Sequence, residues 1–223
     1  MAALLLTMVC KAQTEDVMVI HYTDGTTQKV TAKSVEYIDF TREEIDPYEA
    51  VDLGLSVKWA AYNVGATRPE ELGDLFSWGE TSPKADYSEA NYAYYSNSNY
   101  TSIGRNIAGT RYDAAWQLWQ HGWRLPTLTE IRELSNSCTW TKETHFGVTG
   151  FLVTGPNGNS IFLPAAGCQT GTVREQVGTG GYYWTSIVNN EMPSSAYNLN
   201  FKGYDADWTA NRSIGFSIRA VKQ

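Results

Sequence analysis

The chain is poor in the residues that most often carry metal or nucleophile chemistry, with 3 Cys and 3 His in 223 residues. It contains no Cys-x-x-Cys pair, and His21, His121 and His145 are scattered, so zinc-ligand spacing is missing. The strings G-x-S-x-G and H-E-x-x-H and the phosphate-cradling P-loop are also missing. Charged residues make up only 18% of the chain and form no basic stripe, which argues against the counterion-releasing contacts that bind DNA or RNA. No apolar run approaches the ~18 residues of a membrane-spanning helix. Ala, Glu, Lys, Leu and Arg do not dominate, which excludes a long coiled coil.

What is abundant is uncharged polarity combined with aromatic bulk. Gly, Ser, Thr and Asn supply 71 residues, and Trp, Tyr and Phe supply 29. So many rings exclude wholesale disorder, and the length suffices for one substantial core. The composition predicts a loop-rich, β-leaning globular protein of the kind that presents extracellular binding surfaces. The net charge of −7 is uneven. Residues 36–90 hold 13 acidic against 4 basic side chains, whereas residues 91–223 hold 8 against 10.

Residues 1–12 read as a signal peptide: Ala2 to Val9 is a short apolar run, and Cys10-Lys11-Ala12 offers small residues for cleavage before Gln13. The positive n-region is absent, and bulky Val9 disfavours lipid attachment at Cys10. Export would leave Cys138 and Cys168 in a disulfide-permissive compartment, with a bridge between them left open. Residues 13–40 read as a small β unit, with strand formers at Val17–Tyr22, a turn at Asp24-Gly25 and period-two alternation from Ser34 to Phe40. The acidic stretch Thr41–Pro47 is the expected linker, and residues 48–223 the main domain. Within it, Ala50–Ala60 predicts two short strands about a turn, and Glu80–Arg111, rich in Tyr, Asn and Ser, predicts a long surface excursion. Asp113–Gln120 predicts a helix capped by Asp113. Thr127–Ser137 predicts the clearest one, with Thr127 as N-cap, Glu130 at the capping-box position and Leu128, Ile131 and Leu134 at core spacing. Beyond Thr139 the pattern is short strands between Gly, Asn and Pro turns, giving an α+β domain.

A series of strings in this domain carries a resemblance. They are Val51–Ala60 with Asn63-Val64-Gly65-Ala66, Gly73-Asp74 with Phe76-Ser77-Trp78-Gly79-Glu80, and Trp123-Arg124-Leu125-Pro126-Thr127. Cys138-Thr139-Trp140, Asn159–Gly167, Gly181–Ser186 and Arg212–Arg219 follow in order. In this order residues 48–221 resemble the major-paralogous-domain (FISUMP-type) surface proteins of Bacteroidetes-type bacteria. That family is similar to the formylglycine-generating-enzyme branch of the C-type-lectin-like fold. The resemblance implies an exported surface protein with that α+β fold and does not imply a reaction. The catalytic relatives carry a cysteine pair near the C-terminus, and here no Cys follows Cys168, so the chain is expected not to be an enzyme.

The same strings suit a core made of Trp123, Leu125, Trp140, Phe162, Leu163, Trp184, Leu199, Phe201, Phe216 and Ile218, with Arg124 and Arg219 needing carboxylate or carbonyl partners if buried. A lectin-like fold raises the question of calcium. Asn190-Glu191-Met192-Pro193 and Asp207-Trp208-Thr209 match lectin calcium strings only loosely, so no metal or other cofactor is expected. A metal-free binding face fits the residues better. It would comprise Tyr182, Asn189, Asn190, Tyr197, Asn198, Asn200, Tyr204, Asp205, Asp207, Trp208 and Asn211, because rigid Tyr and Trp with adaptable Asn suit stacking on sugars or gripping a protein. The competing reading makes these rings core and these amides turn formers. Leu199 and Phe201 are expected to point inward, and Asn198, Asn200 and Lys202 outward. The expectation is a secreted or cell-surface binding protein for a glycan or protein ligand, without nucleic acid or a membrane span. The alternatives are a pilus-type adhesion-assembly subunit or the target of a diversity-generating retroelement, whose variable region the Tyr183–Arg219 ending resembles.

Overall fold

A computed structural model of the protein describes residues 6–7, 17–22, 25–31, 48–201 and 205–223, with 6–7 and 205–207 as backbone alone. The chain divides into two compact units, Met1–Ile45 and Asp46–Gln223. In the first, β1 (Leu6–Thr7), β2 (Val17–His21) and β3 (Thr27–Thr31) form an antiparallel sheet in that order. Gly25 takes the left-handed φ of 86° in the β2–β3 turn. The rest of the expected leader, the alternation at Ser34–Phe40 and the linker Thr41–Pro47 lie outside the described residues.

The second unit is mostly β, with two short helices among many small antiparallel sheets, consistent with the expected α+β class. Its elements begin with β4 (Ala50–Val51), β5 (Lys58–Ala60), β6 (Tyr95–Ser96) and β7 (Asn99–Tyr100), followed by α1 (Ala114–Trp119) and α2 (Leu128–Ser137). Then come β8 (Thr139–His145), β9 (Val148–Thr154), β10 (Ser160–Pro164), β11 (Cys168–Thr170) and β12 (Val173–Glu175). The last strands are β13 (Tyr182–Val188), β14 (Ser195–Asn200), β15 (Asp205–Asn211) and β16 (Val221–Lys222). They assemble as β16-β5-β4, β6-β7, β10-β9-β8, β11-β12 and β13-β14-β15.

Both helices start where their capping residues require. Asp113 accepts from Trp116 N (3.1 Å) at the head of α1. At α2, Thr127 Oγ1 accepts from Glu130 N and Glu130 Oε2 accepts from Thr127 N (2.7 Å), which completes a capping box. Glu130 also holds Arg124 through two bonds of 2.9 and 2.6 Å, so the strand entering the helix and its first turn are locked together. Burial alone would raise the Glu130 carboxyl, but Arg124 and the Thr127 donors outweigh it and hold it low.

The apolar residues expected in one core divide between two clusters. Trp123, Leu125, Trp184, Phe216 and Ile218 join Phe76, Trp78 and α1 in the first. Leu163, Leu199 and Phe201 join Trp59, Ile131 and Leu134 in the second, with Trp140 half-buried against it. Phe162 is buried outside both clusters and stacks on His145 at 4.3 Å. The sheet β13-β14-β15 separates them: Trp184 and Ala196 face the first cluster, Tyr183 and Leu199 the second. Among the described residues Cys138 and Cys168 are unbridged, Cys168 inside the first cluster and Cys138 against the second.

The C-terminal segment Arg212–Val221 ties these pieces together through the backbone. Its groups bond Trp78, Phe76, Gln169, Tyr182, Trp184, Val64, Ala60 and Arg124 in turn, at 2.8 to 3.1 Å. Side chains reinforce the crossing, with Trp184 Nε1 donating to Phe76 O (2.7 Å), Trp78 Nε1 to Thr185 O (2.9 Å) and Ser77 Oγ to Ser213 O (2.7 Å). The segments around Val64, Phe76, Arg124 and Trp184 meet here, and their aromatic and hydroxyl groups are engaged in holding the domain.

The stretch Glu80–Arg111 was expected on the surface, and it is largely irregular, but it is also anchored. Tyr87 and Tyr92 are buried and donate to Leu75 O and Trp78 O (2.6 Å for the latter). Ile103 and Ile107 enter the first cluster.

Candidate binding surface

The expected binding residues lie on β13, β14, β15 and their connections, and the strand register sorts them. Tyr182, Trp184, Asn198 and Trp208 share one face, because Trp184 pairs with Asn198 and Asn198 with Trp208. Tyr197 pairs with Thr209, one residue along each strand, so it lies on the opposite face. The structure therefore does not bring Tyr197 and Trp208 onto one surface.

Asn198 and Asn200 require correction. They were expected to point outward and are instead buried, as are Leu199 and Phe201. The central strand is covered on both sides, by the first cluster on one and by the second on the other, so alternation along it cannot separate inside from outside. Asn198 Nδ2 satisfies itself on Trp208 O at 3.2 Å. Tyr182 is half-buried, stacked on Phe216 (5.0 Å) with its hydroxyl on Gln176 Oε1 (2.6 Å), and burial raises its pKa.

Asn211 is a cross-link. Its Oδ1 accepts from Tyr100 OH (2.7 Å) and from Ser213 N and Oγ (both 3.0 Å), while its Nδ2 donates to Glu89 Oε1 at 2.6 Å. Tyr100 shares its one phenol proton between Asn211 Oδ1 and Glu89 Oε1, and the Tyr100 and Asn211 bonds hold the Glu89 carboxyl below its usual range. Burial, helped by the Glu89 charge, pushes Tyr100 up to about 12. Beneath this network the Arg212 guanidinium lies over Trp78, Tyr92 and Tyr100. It donates to Tyr92 OH (3.0 Å), Thr101 O and Pro193 O (both 3.2 Å).

The turn between β13 and β14 sits on this scaffold. Asn189 Oδ1 accepts from Glu191 N (3.0 Å) and Met192 N (3.3 Å), a local turn lock, and Arg212 N donates to Ser194 O at 2.9 Å. Asn190, Glu191, Met192 and Pro193 are exposed above it, Met192 at 55%. Met192 and Pro193 were missed as candidates, although the Asn-Asn-Glu-Met-Pro turn marks an exposed loop. Trp208 stands at 49% exposure on β15, the edge strand of the sheet. Tyr204 lies outside the described residues, and Asp205 and Asp207 belong to β15 with their side chains not described.

No three His, Cys, Asp or Glu side chains converge into a metal-holding group among the described residues. No described helix is long and apolar enough to cross a membrane. Comparison with protein-family models, with curated proteins and with solved structures finds no match.

Proposed function

We propose that the protein is an exported, non-catalytic recognition protein of the secreted or cell-surface kind, with a C-type-lectin-like main domain of the major-paralogous-domain type. It would grip a glycan or a protein ligand through the Asn189–Pro193 turn and the Trp208 edge of β15. The observation that supports this most is a contrast within one sheet face: Trp184 is fully buried, while Trp208 keeps about half of its surface in solvent. An exposed indole on a paired strand offers contact area at low entropic cost, and the polar turn at the other end of the β14–β15 pairing offers adaptable hydrogen bonds. The test is a glycan and surface-protein binding screen of the full chain, with and without calcium, followed by Trp208→Ala and Asn190→Ala. Binding should weaken by about tenfold or more in Trp208→Ala with the thermal midpoint retained. Unchanged binding in both variants, or none across the screen, would sink the reading.

A second reading, an adhesion-assembly subunit that pairs its N-terminal strands with a partner's sheet, is favoured by one observation. The described side chains of β2 and β3 include none that is fully buried. Deleting residues 13–40 should then abolish higher assembly while leaving ligand binding intact.

A further inference from the structure

We propose that the depression at the C-terminal end of α1, lined by Trp116, Gln117, Gln120 and His121, is a binding site for a neutral carbohydrate, separate from the Trp208 surface. The site follows from how the six-residue helix is used. Ala114, Ala115 and Trp119 turn into the first cluster, which leaves Trp116 outward at 41% exposure with Gln117 beside it. A buried Trp119 and an exposed Trp116 on one short helix divide packing from presentation.

The helix then ends in a strained corner. Gln120 has φ 54° and ψ −143°, a region that is essentially glycine's, and His121 (φ 46°) and Gly122 (φ 81°) continue with positive φ. The corner is held at both ends by backbone bonds, Gln120 N on Trp116 O (3.1 Å) and Trp123 N on Gln120 O (2.8 Å), and the Trp123 side chain is buried. Glycine would occupy position 120 without strain, yet the chain places a long amide there, next to an imidazole and an indole. None of the Gln117, Gln120 and His121 side chains takes a hydrogen bond among the described residues.

The depression measures about 290 Å³, near the lower end of the ~300–1,000 Å³ of small-molecule sites. Its chemistry selects the ligand class. No carboxylate, lysine or arginine lines it, so no charged group calls for a counter-charge. Each amide offers both donors and an acceptor, the set that paired sugar hydroxyls need. The indole face suits the apolar C–H face of a pyranose ring.

The experiment titrates the full chain with D-glucose, D-galactose, D-mannose and N-acetyl-D-glucosamine by calorimetry and by the indole N–H signals in NMR. At least one sugar should bind in the millimolar range and move the Trp116 signal. Trp116→Ala should weaken that binding by about tenfold, and Trp116→Phe should retain most of it. Gln120→Gly separates site from fold: it removes the amide and relieves the corner, so binding should fall while the thermal midpoint rises. Phe146→Ala, which removes an exposed ring outside both surfaces, should leave the sugar affinity unchanged. Absence of binding by all four sugars, or binding that survives both Trp116→Ala and Gln120→Gly, would overturn the proposal. A sugar that moves the Trp208 indole signal and leaves the Trp116 signal in place would overturn it too, and would transfer the sugar to the other surface.

Discussion

Arg212 and Arg219 stand at the two ends of one backbone segment, and both are buried without an ion pair among the described residues, yet they are satisfied in different ways. Arg219 reaches backbone and amide oxygens with every nitrogen: Nε to Asn63 Oδ1 (2.9 Å), Nη1 to Ala60 O (3.0 Å) and Ala61 O (2.8 Å), and Nη2 to Phe162 O (2.8 Å). Burial pulls its pKa down to about 10, the only cost the site leaves visible. Arg212 instead packs its plane against three rings, the nearest being Trp78 at 4.8 Å, and its buried Nη2 has no partner among the described residues. The first guanidinium is a cross-link between β5, β10 and the C-terminal segment. The second is a plug beneath a surface turn, held by polarisable faces as much as by hydrogen bonds. A fork of five donors can therefore replace several short strands' worth of pairing where carbonyls converge.

Substitution should separate the two roles, and the largest effect is expected at the cross-link. Arg219→Met strands three carbonyls and the Asn63 amide and should cost about 3–5 kcal/mol in urea unfolding. The anionic counterpart is Asp113, whose buried carboxylate accepts from Gly109 N (2.9 Å), Leu125 N (2.9 Å) and Trp116 N. Desolvation outweighs those donors and pushes its pKa up to about 6 from 3.8. A raised carboxyl makes the folded state bind its proton more tightly. Its stabilising contribution is complete below about pH 4 and is lost as pH rises through about 6, by about 3 kcal/mol. The stability difference between Asp113→Asn and the wild type should change by roughly that amount between about pH 4 and pH 7, and a flat difference would remove Asp113 from the comparison.

Arg212→Met should be milder, about 1–2 kcal/mol, since methionine keeps contact with the rings and removes a charge with an orphan donor. A loss as large as that of Arg219→Met would erase the distinction between cross-link and plug. The smallest effect belongs to Glu89→Gln, which loosens the Tyr100–Asn211 ties above Arg212. It should cost about 0.5 kcal/mol and lower the Tyr100 phenol titration midpoint.

Local rules made parts of this molecule readable in advance. Thr127 and Glu130 announce α2 because a capping box is a short-range bargain between neighbours, and Asp113 announces α1 for the same reason. The need of Arg124 and Arg219 for partners was also legible, because an arginine amid apolar residues has few alternatives. The partners were not legible: Asn63 and Phe162 come from distant segments that only the fold joins to Arg219. Burial of Asn198 and Asn200 was invisible because period-two reasoning assumes one covered face, and β14 has two. Tyr87 and Tyr92 escaped notice because an irregular segment has no period, and a single phenol reaching a carbonyl anchors it without one. On the surface, Trp208 is half exposed, but it was assigned to a face that also included Tyr197, which the register forbids.

The unbridged thiols give the domain a pair of internal clocks. Cys168 belongs to one core cluster and Cys138 rests against the other, where burial pushes its thiol up to about 11 and slows alkylation. Pulsed labelling under mild denaturant therefore times the opening of each half separately, using groups the chain already carries. Equal rates would mean that β13-β14-β15 transmits every opening from one side to the other. Unequal rates would mean that the sheet acts as a bulkhead, letting one half of the domain breathe while the other stays shut.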